Sequence, residues 1–417
     1  MNGNALIVGG GIAGLSSAWY LRKTGWNVSV LDKGDFLDNC SYGNAGMIVP
    51  SHFTPMAAPG IVSQGIRWMF NSRSPFYVKP VPSASLISWG LKFMKNANER
   101  HVNTSAPPLR DLNLYSSTLY DELYRDLDES FELKKKGILM LYKTARTQEE
   151  EIHLAHTAQE LGLDVEVIDR AQLAVLEPEL RLDVLGAVHY KCDGHLYPPA
   201  LITALRKKLE SVGVRFYAHE EVIDVSRSQG RITSIETGSG KKFSADRYVF
   251  AAGAWLQQLC KKAGLSVPVM PGKGYSFMTG AFEGKVQHPA LLLEARVALT
   301  PMNGQVRIGG TMELAAVNHK INLNRVEGIV RSVPQYYPEF QLPMPEEKDI
   351  WHGFRPCSAD GLPYLGNSAK LENLTIAGGL GMMGLSLGPA VGKTVADLIN
   401  NTRTGTDIRL FDPERFN

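Results

Sequence analysis

The sequence has little cysteine, no long apolar run and almost no net charge. Its four cysteines lie far apart without a C-x-x-C pair. This argues against a disulfide framework or structural zinc and fits a reducing compartment. No apolar run approaches the roughly 20 residues of a membrane span. Lys and Arg number 44 against 42 Asp and Glu. That balance argues against a dedicated nucleic-acid binder. Because the N-terminus lacks a signal-peptide pattern, we expect a cytoplasmic protein.

The chain also lacks obvious catalytic clusters. We find neither metal-ligand spacing nor a Ser/His/Asp triad, so no metal is predicted. These absences do not exclude catalysis, because a bound cofactor can carry the chemistry while the protein orients the substrate. The length of 417 residues exceeds what one hydrophobic core usually serves, which predicts two domains.

The first 35 residues follow the pattern strand, glycine turn, helix, strand. The apolar run 5–8 precedes Gly9, Gly11 and Gly14, which form G-x-G-x-x-G, and Asp32 ends the second strand. The first glycine permits a tight turn, the second lets backbone approach a pyrophosphate, and the third lets the helix pack closely. The acid can bind ribose hydroxyls. The pattern predicts a dinucleotide site but does not separate NAD from FAD.

Three later segments favour FAD. An apolar strand at 248–250 runs into small residues, a second motif spans 351–366, and a strand leads into a glycine-rich loop at 374–388. We expect the final helix to begin near Pro389 and to run to about Asn400. Too little chain remains for a second dinucleotide fold. This unit can instead return to the first sheet and offer N–H groups to a flavin.

Several of these segments carry a family resemblance. The chain resembles the D-amino-acid oxidase superfamily of FAD-dependent amine oxidoreductases and is most similar to its D-amino-acid dehydrogenase branch. The resemblance covers nearly the whole chain. Its further motifs lie at 41–46, 57–60, 273–276, 307–310, 353–356 and 415–416.

The resemblance implies an α/β fold with two interleaved domains. One is a Rossmann-like FAD-binding domain of the glutathione-reductase type, and the other is an α+β substrate domain with an antiparallel sheet. The predicted FAD-binding domain comprises 1–50, 166–268 and 349–417, and the substrate domain comprises 51–165 and 269–348. The residue pattern predicts helices at 109–127, 147–161 and 196–213. It predicts substrate-domain strands at 267–279, 290–300 and 305–310.

The resemblance also assigns site residues. Arg355 would hold a substrate carboxylate, because a guanidinium pairs with it bidentately. Tyr275 would direct its hydroxyl toward substrate or flavin, or is instead a core tyrosine. We expect His52 on the surface. The FAD would be non-covalent, because Gly353 stands where sarcosine-oxidase relatives carry a cysteine. Implied cofactor contacts are Gly9, Gly11, Ile12, Ala13, Gly14, Asp32, Lys33, Asn44, Ala45, Gly46, Met47, Val222, Ala252, Gly253, Gly381, Met382, Met383, Gly384 and Leu385.

The expected reaction is oxidation of a D-amino acid to the imino acid, with hydride transfer to flavin N5. Three departures leave the substrate open. Leu380 stands where the dehydrogenases usually carry histidine. The segment 292–297 differs from the sequence expected of that branch. The segment 192–198 is closer to glycine oxidases and amino-acid deaminases. Alternatives are glycine, sarcosine or a cyclic imino acid such as D-proline or D-hydroxyproline, or a flavin-binding protein without turnover. The electron acceptor, oxygen or quinone, also stays open.

One stretch departs from the balanced charge. Residues 53–98 hold Arg67, Arg73, Lys79, Lys92 and Lys95 but no acid, a charge of +5, together with several aromatic residues. A basic, aromatic and amphipathic stretch is typical of a peripheral membrane contact, which would serve an enzyme that reduces quinone. The alternative is an ordinary cap over the substrate domain.

Overall fold

The computed structural model describes residues 2–37, 39–61, 76–78 and 84–417. Within these ranges the strands are β1 (Asn4–Val8), β2 (Asn27–Leu31), β3 (Met47–Ile48), β4 (Phe76–Val78), β5 (Leu133–Lys134), β6 (Ile138–Tyr142), β7 (Val165–Asp169), β8 (Gly186–Tyr190), β9 (Gly194–Leu196), β10 (Arg215–Tyr217), β11 (Val222–Ser228), β12 (Arg231–Thr237), β13 (Lys242–Phe243), β14 (Arg247–Phe250), β15 (Val269–Thr279), β16 (Ala290–Leu292), β17 (Val297–Met302), β18 (Gln305–Leu314), β19 (Trp351–Ser358), β20 (Tyr364–Asn367) and β21 (Leu374–Gly378).

The helices of the same ranges carry the connections. They are α1 (Ile12–Lys23), α2 (Ala84–Asn96), α3 (Glu99–Asp126), α4 (Ala145–Glu160), α5 (Arg170–Leu176), α6 (Pro198–Ser211), α7 (Leu256–Lys262), α8 (Leu323–Tyr336) and α9 (Gly384–Ile399). Short 3₁₀ turns occur at Gly253–Trp255, Glu347–Asp349 and Arg409–Phe411. None of the helices in the described part of the chain is both long and apolar enough to cross a bilayer.

The first sheet has the order β10-β2-β1-β14-β21-β20 and is parallel except for its edge strand β20. Strand β1 is apolar from Ala5 to Val8 because alternate residues enter two different cores. Ala5 and Ile7 face one core with α1, α6 and α9, whereas Leu6 and Val8 face another with β11, β12 and α7. The predicted return of the C-terminal strand is confirmed, since β21 pairs in parallel with β14.

The second sheet has the order β19-β15-β18-β17-β16-β6-β8-β7, with β4 added beside β18. It is mostly antiparallel, and α8 buries Val326, Ile329 and Val333 against it. The predicted single strand at 290–300 is wrong, because β16 and β17 form a hairpin there. The chain reverses at Arg296, whose φ of +53° lies in the left-handed region.

Strand pairing bears on the two-domain organisation. Strand β7 pairs with β8, β8 pairs with β6, and β19 pairs with β15, so β7, β8 and β19 belong to the second sheet. The sequence-based boundaries at 166 and 349 put these strands in the FAD-binding domain. We propose that the boundaries follow the sheets and lie near Leu196 and Ser358.

The last helix differs from its prediction in where it begins. Helix α9 starts at Gly384, and Pro389 lies inside it rather than in its first turn. Proline has no N–H, so the carbonyl of Leu385 loses its helical donor. The Tyr120 hydroxyl donates to that carbonyl at 2.5 Å, and Ser116 Oγ donates to the Ser386 carbonyl at 2.5 Å. Because α3 supplies these donors, the helix continues through the proline.

We expect Tyr120→Phe to destabilise the fold, because it leaves the buried Leu385 carbonyl unpaired. The free energy of unfolding should fall by about 1–3 kcal/mol, measured by urea denaturation. Tyr115→Phe on the same helix is the matched control, since its phenolic oxygen makes no hydrogen bond within the described ranges. Equal losses in the two variants would contradict this account of α9.

Candidate active site

A single cavity of about 830 Å³ runs from the carboxyl ends of β1, β2 and β14 to the face of the second sheet. Most residues predicted from the sequence line it. They are Gly9, Gly11, Ile12, Ala13, Asp32, Lys33, Asn44, Ala45, Met47, Val222, Ala252, Gly253, Tyr275, Arg355, Gly381, Met382, Met383, Gly384 and Leu385. Gly14 and Gly46 lie behind this wall, where their missing side chains permit close backbone packing.

Each of the three glycines of the first turn is required for a different structural reason. Gly9 has a φ of +116°, and a Cβ there would lie 2.3 Å from the Ala251 carbonyl oxygen. A Cβ on Gly14 would lie 1.9 Å from the Gly9 carbonyl oxygen. A Cβ on Gly11 would meet only Ser41 Oγ, at 3.4 Å, and would enter the cavity. The turn therefore offers backbone to a ligand at Gly11.

Asp32 is held at the end of β2 by backbone donors. Its carboxylate accepts the Gly10 N–H at 2.6 Å and the Gly34 N–H at 2.8 Å. Beside it, Lys33 Nζ lies 3.4 Å from the centroid of the Trp255 ring, and burial lowers the pKa of this lysine. This end of the cavity combines a glycine turn, a helix N-terminus and a fixed acid. These features fit the adenosine diphosphate half of FAD.

The opposite part of the cavity is bordered by the loop that precedes α9. Gly381 has a φ of +53°, and its N–H donates to the Pro356 carbonyl at 2.9 Å. Residues 381–385 thereby lie beside the end of β19 and line the same cavity as Asn44, Ala45 and Met47. The loop offers backbone where the sequence predicts the flavin ring.

Arg355 on β19 lines the cavity next to this loop. Its Nη1 donates to the Thr311 carbonyl at 2.8 Å. A Cβ on Gly274 of the neighbouring strand would lie 2.1 Å from the same nitrogen, so that glycine makes room for the guanidinium. Among the described residues no carboxylate pairs with Arg355, in contrast to Arg415, which pairs with Asp360. The cation is therefore available to an anionic ligand.

Tyr275 lies at the cavity, but its hydroxyl is already bonded within the protein. It donates to Glu313 Oε1 at 2.8 Å and accepts the Asn322 N–H at 3.2 Å. Its side chain is buried in the core of the second sheet. These bonds favour the core-tyrosine alternative over a hydroxyl directed at substrate.

The expectation of a surface His52 is wrong, because this side chain lines the cavity. Its Nδ1 lies 3.1 Å from Ser51 Oγ, which donates to Asp193 Oδ2 at 2.5 Å. Burial lowers the pKa of His52 to about 4 and raises that of Asp193 to about 7. The imidazole is therefore neutral at neutral pH. No sequence signal joined these residues, which meet through the pairing of β3 with β9.

All four cysteines are free. No group of three or more metal-ligating side chains occurs in the part of the chain that the structure describes.

Comparisons with known proteins place the chain in a family. The model of the FAD dependent oxidoreductase family matches residues 4–398. The chain is 30% identical to D-amino acid dehydrogenase of Vibrio atlanticus (strain LGP32) over 419 residues, 98% of each protein. It is 29% identical to D-amino acid dehydrogenase of Helicobacter pylori (strain ATCC 700392 / 26695), over 99% of this chain and 98% of that protein.

Solved structures show the same fold. Glycine oxidase from Geobacillus kaustophilus matches with a TM-score of 0.80 at 24% identity, over 100% of this chain and 99% of that one. L-proline dehydrogenase from P. horikoshii matches with a TM-score of 0.76 at 19% identity, over 99% and 97%. The protein belongs to the FAD-dependent oxidoreductase family. The predicted FAD cofactor and α/β fold are thus confirmed.

Two glycine variants should separate folding from cofactor binding. Gly14→Ala should lower the free energy of unfolding by about 1–3 kcal/mol, because its Cβ meets backbone. Gly11→Ala should fold normally but bind FAD at least about ten-fold more weakly, because its methyl group enters the cavity. Urea denaturation of apoprotein and FAD titration by fluorescence measure the two effects. Similar behaviour of both variants would contradict the separate roles.

Proposed function

We propose that the protein oxidises the CH–NH₂ bond of a D-amino acid to the imino acid, which hydrolyses to a 2-oxo acid and ammonia. The observation that carries the proposal is the Arg355 guanidinium, a cation without a carboxylate partner among the described residues, on the wall of an FAD cavity. The names of the Vibrio and Helicobacter relatives support the D-amino acid class.

In this proposal the protein holds FAD without a covalent bond. Backbone of the first glycine turn, the Asp32 carboxylate and the 381–385 loop would contact it. When bound, FAD supplies the hydride acceptor at N5. A Cβ at Gly353 would lie 2.1 Å from the Trp351 ring, so this position cannot carry a thiol without moving the indole. Cys357 is fully buried outside the cavity lining, and burial raises the pKa of its thiol to about 12.

Arg355 would position the substrate by its carboxylate. The Thr311 carbonyl restrains one guanidinium nitrogen, which leaves the other donors for a bidentate pair. The flavin would carry the redox chemistry, and the protein would contribute the orientation of the substrate. Neutral His52 lines the same cavity, where its imidazole can form a hydrogen bond.

Anaerobic mixing with a panel of amino acids tests this proposal. We expect D-amino acids to bleach the flavin absorbance, and L-amino acids, glycine, sarcosine and D-proline to do so more slowly or not at all. In Arg355→Leu the substrate concentration for half-maximal bleaching should rise at least about 100-fold, because a desolvated charge pair is lost.

Two controls accompany this test. Arg355→Lys keeps the charge but loses the planar guanidinium that pairs bidentately with a carboxylate. Its substrate concentration for half-maximal bleaching should lie between those of the wild type and Arg355→Leu. Arg331→Leu removes an arginine that is paired on the surface of α8 and should behave as wild type. FAD content is measured for every variant. A panel without any bleaching would refute amine oxidation, and unchanged kinetics in Arg355→Leu would remove that residue from its role.

We further propose that α2 contacts an anionic membrane surface and thereby brings the flavin near a quinone acceptor. Ile87, Leu91 and Met94 are 54%, 58% and 52% exposed and follow one face of the helix. Lys92 and Lys95 lie beside this apolar stripe. An exposed apolar stripe with flanking cations is typical of interfacial helices. The neighbouring Arg67, Trp68, Phe70, Arg73 and Lys79 lie outside the described residues.

Vesicle flotation tests the membrane contact. We expect binding to phosphatidylserine-containing vesicles at low salt and several-fold less at high salt or on phosphatidylcholine alone, because the cations are screened or unmatched. Replacing Ile87, Leu91 and Met94 with serine should lower binding several-fold. The control replaces the exposed Leu154 of α4, Val175 of α5 and Leu323 of α8 with serine. Equal loss in both triple variants would refute an interface at α2.

A further inference from the structure

Helix α2 has an inner face as well as an exposed one. Leu86, Trp89, Gly90 and Phe93 recur at helical spacing and line the cavity. Trp89 is 4% exposed and stacks on Phe93 with a ring-centroid distance of 5.0 Å. One side of the helix therefore closes the substrate end of the cavity.

The wall that faces α2 is also apolar. Met312 and Leu314 of β18 and Phe76 of β4 line the same cavity, and Met312 is paired with Phe76 in the sheet. These side chains join Trp89, Leu86 and Phe93 in one hydrophobic cluster. We name the space between them the apolar arm, lined by Phe76, Leu86, Trp89, Phe93, Met312 and Leu314. Among these described lining residues none carries a charge.

The apolar arm begins next to Arg355. The Trp89 indole N–H donates to the carbonyl of Cys357 at 3.0 Å. Cys357 follows Arg355 by two residues on β19. On the other side, the Thr311 carbonyl that accepts from Arg355 directly precedes Met312. The Arg355 guanidinium therefore lies next to the apolar arm on both β18 and β19. A ligand anchored by its carboxylate at Arg355 has its Cα substituent within reach of the arm.

We infer that the apolar arm receives the substrate's side chain, so that the enzyme prefers large apolar amino acids, and that Gly90 sets the depth of the arm. This inference rests on the proposed function. Each methylene buried in such a pocket strengthens binding by about four-fold. A charged side chain would be desolvated there without a partner, which disfavours lysine-like and glutamate-like substrates.

Gly90 offers a direct test, because a Cβ at this position would meet nothing within 4 Å. Gly90→Leu places an isobutyl group in the arm, and leucine is a better helix former than glycine. We expect the ratio of flavin reduction by D-phenylalanine to that by D-alanine to fall at least about ten-fold. Ser88→Leu inserts the same group on the exposed face of α2 and should leave the ratio unchanged.

Ligand binding gives a readout that needs no turnover. Calorimetric titration with acetate, butyrate and hexanoate should show affinity that rises with chain length in the wild type. In Gly90→Leu the rise should flatten beyond butyrate, whereas Ser88→Leu should retain it. FAD content and the urea midpoint confirm that each variant is folded.

The outcomes separate this inference from the proposed function. If carboxylate affinity rises with chain length but no amine bleaches the flavin, the proposed oxidation is refuted and the apolar arm is still supported as a binding site. Equal affinity for the three carboxylates would overturn the inference even if D-amino acids are oxidised. If Gly90→Leu slows only reoxidation by a quinone and leaves the reduction ratio unchanged, the arm belongs to the acceptor and the inference is wrong.

Discussion

The close packing of α9 against α1 is the contact on which the rest of the site depends. A Cβ on Gly392 would lie 2.3 Å from the Ser16 backbone, and one on Gly388 would lie 2.4 Å from the Ile12 side chain. These two glycines, one helical turn apart, let the helices approach with almost no side chain between them. As a result both helix N-termini reach the same cavity, although more than 370 residues separate them along the chain. Two positive helix ends then face one ligand volume.

A different contact, between α9 and α3, explains how Pro389 is tolerated inside α9. Pro389 frees a carbonyl inside α9, and the Tyr120 hydroxyl of α3 satisfies it. Helix α3 itself contains Pro107 and Pro108 and begins at Glu99, with the Asn98 side chain as its N-cap. The sequence predicted later starts for both helices, near Pro389 for α9 because a proline normally marks a first turn, and at 109 for α3. The hydroxyl donors that permit Pro389 inside α9 come from α3. A short stretch of sequence around the proline therefore cannot predict them.

The cavity combines two chemical environments in one volume. Its nucleotide end is built from backbone, a fixed carboxylate and glycines whose missing side chains leave room for a ligand. Its substrate end places the Arg355 guanidinium beside apolar side chains from a sheet and a helix. The apolar side chains beside Arg355 strengthen the attraction of its guanidinium for a carboxylate. This contrast supports both the proposed reaction and the preference for apolar side chains.

The sequence predicted those features of the site that a single short segment determines. The glycine turn, Asp32, the strand returning at 374–378 and the Gly-Phe-Arg-Pro segment each carry their own steric or charge requirement. The positions of His52, Tyr275 and α2 could not be read in this way. Ser51, whose hydroxyl lies beside the His52 imidazole, meets Asp193 next to the β3–β9 pairing. The Tyr275 hydroxyl of β15 donates to Glu313 of the neighbouring β18, and α2 has two apolar faces of which one is buried. Which face, partner or cavity a side chain meets depends on contacts between distant segments, and only the tertiary structure decides those.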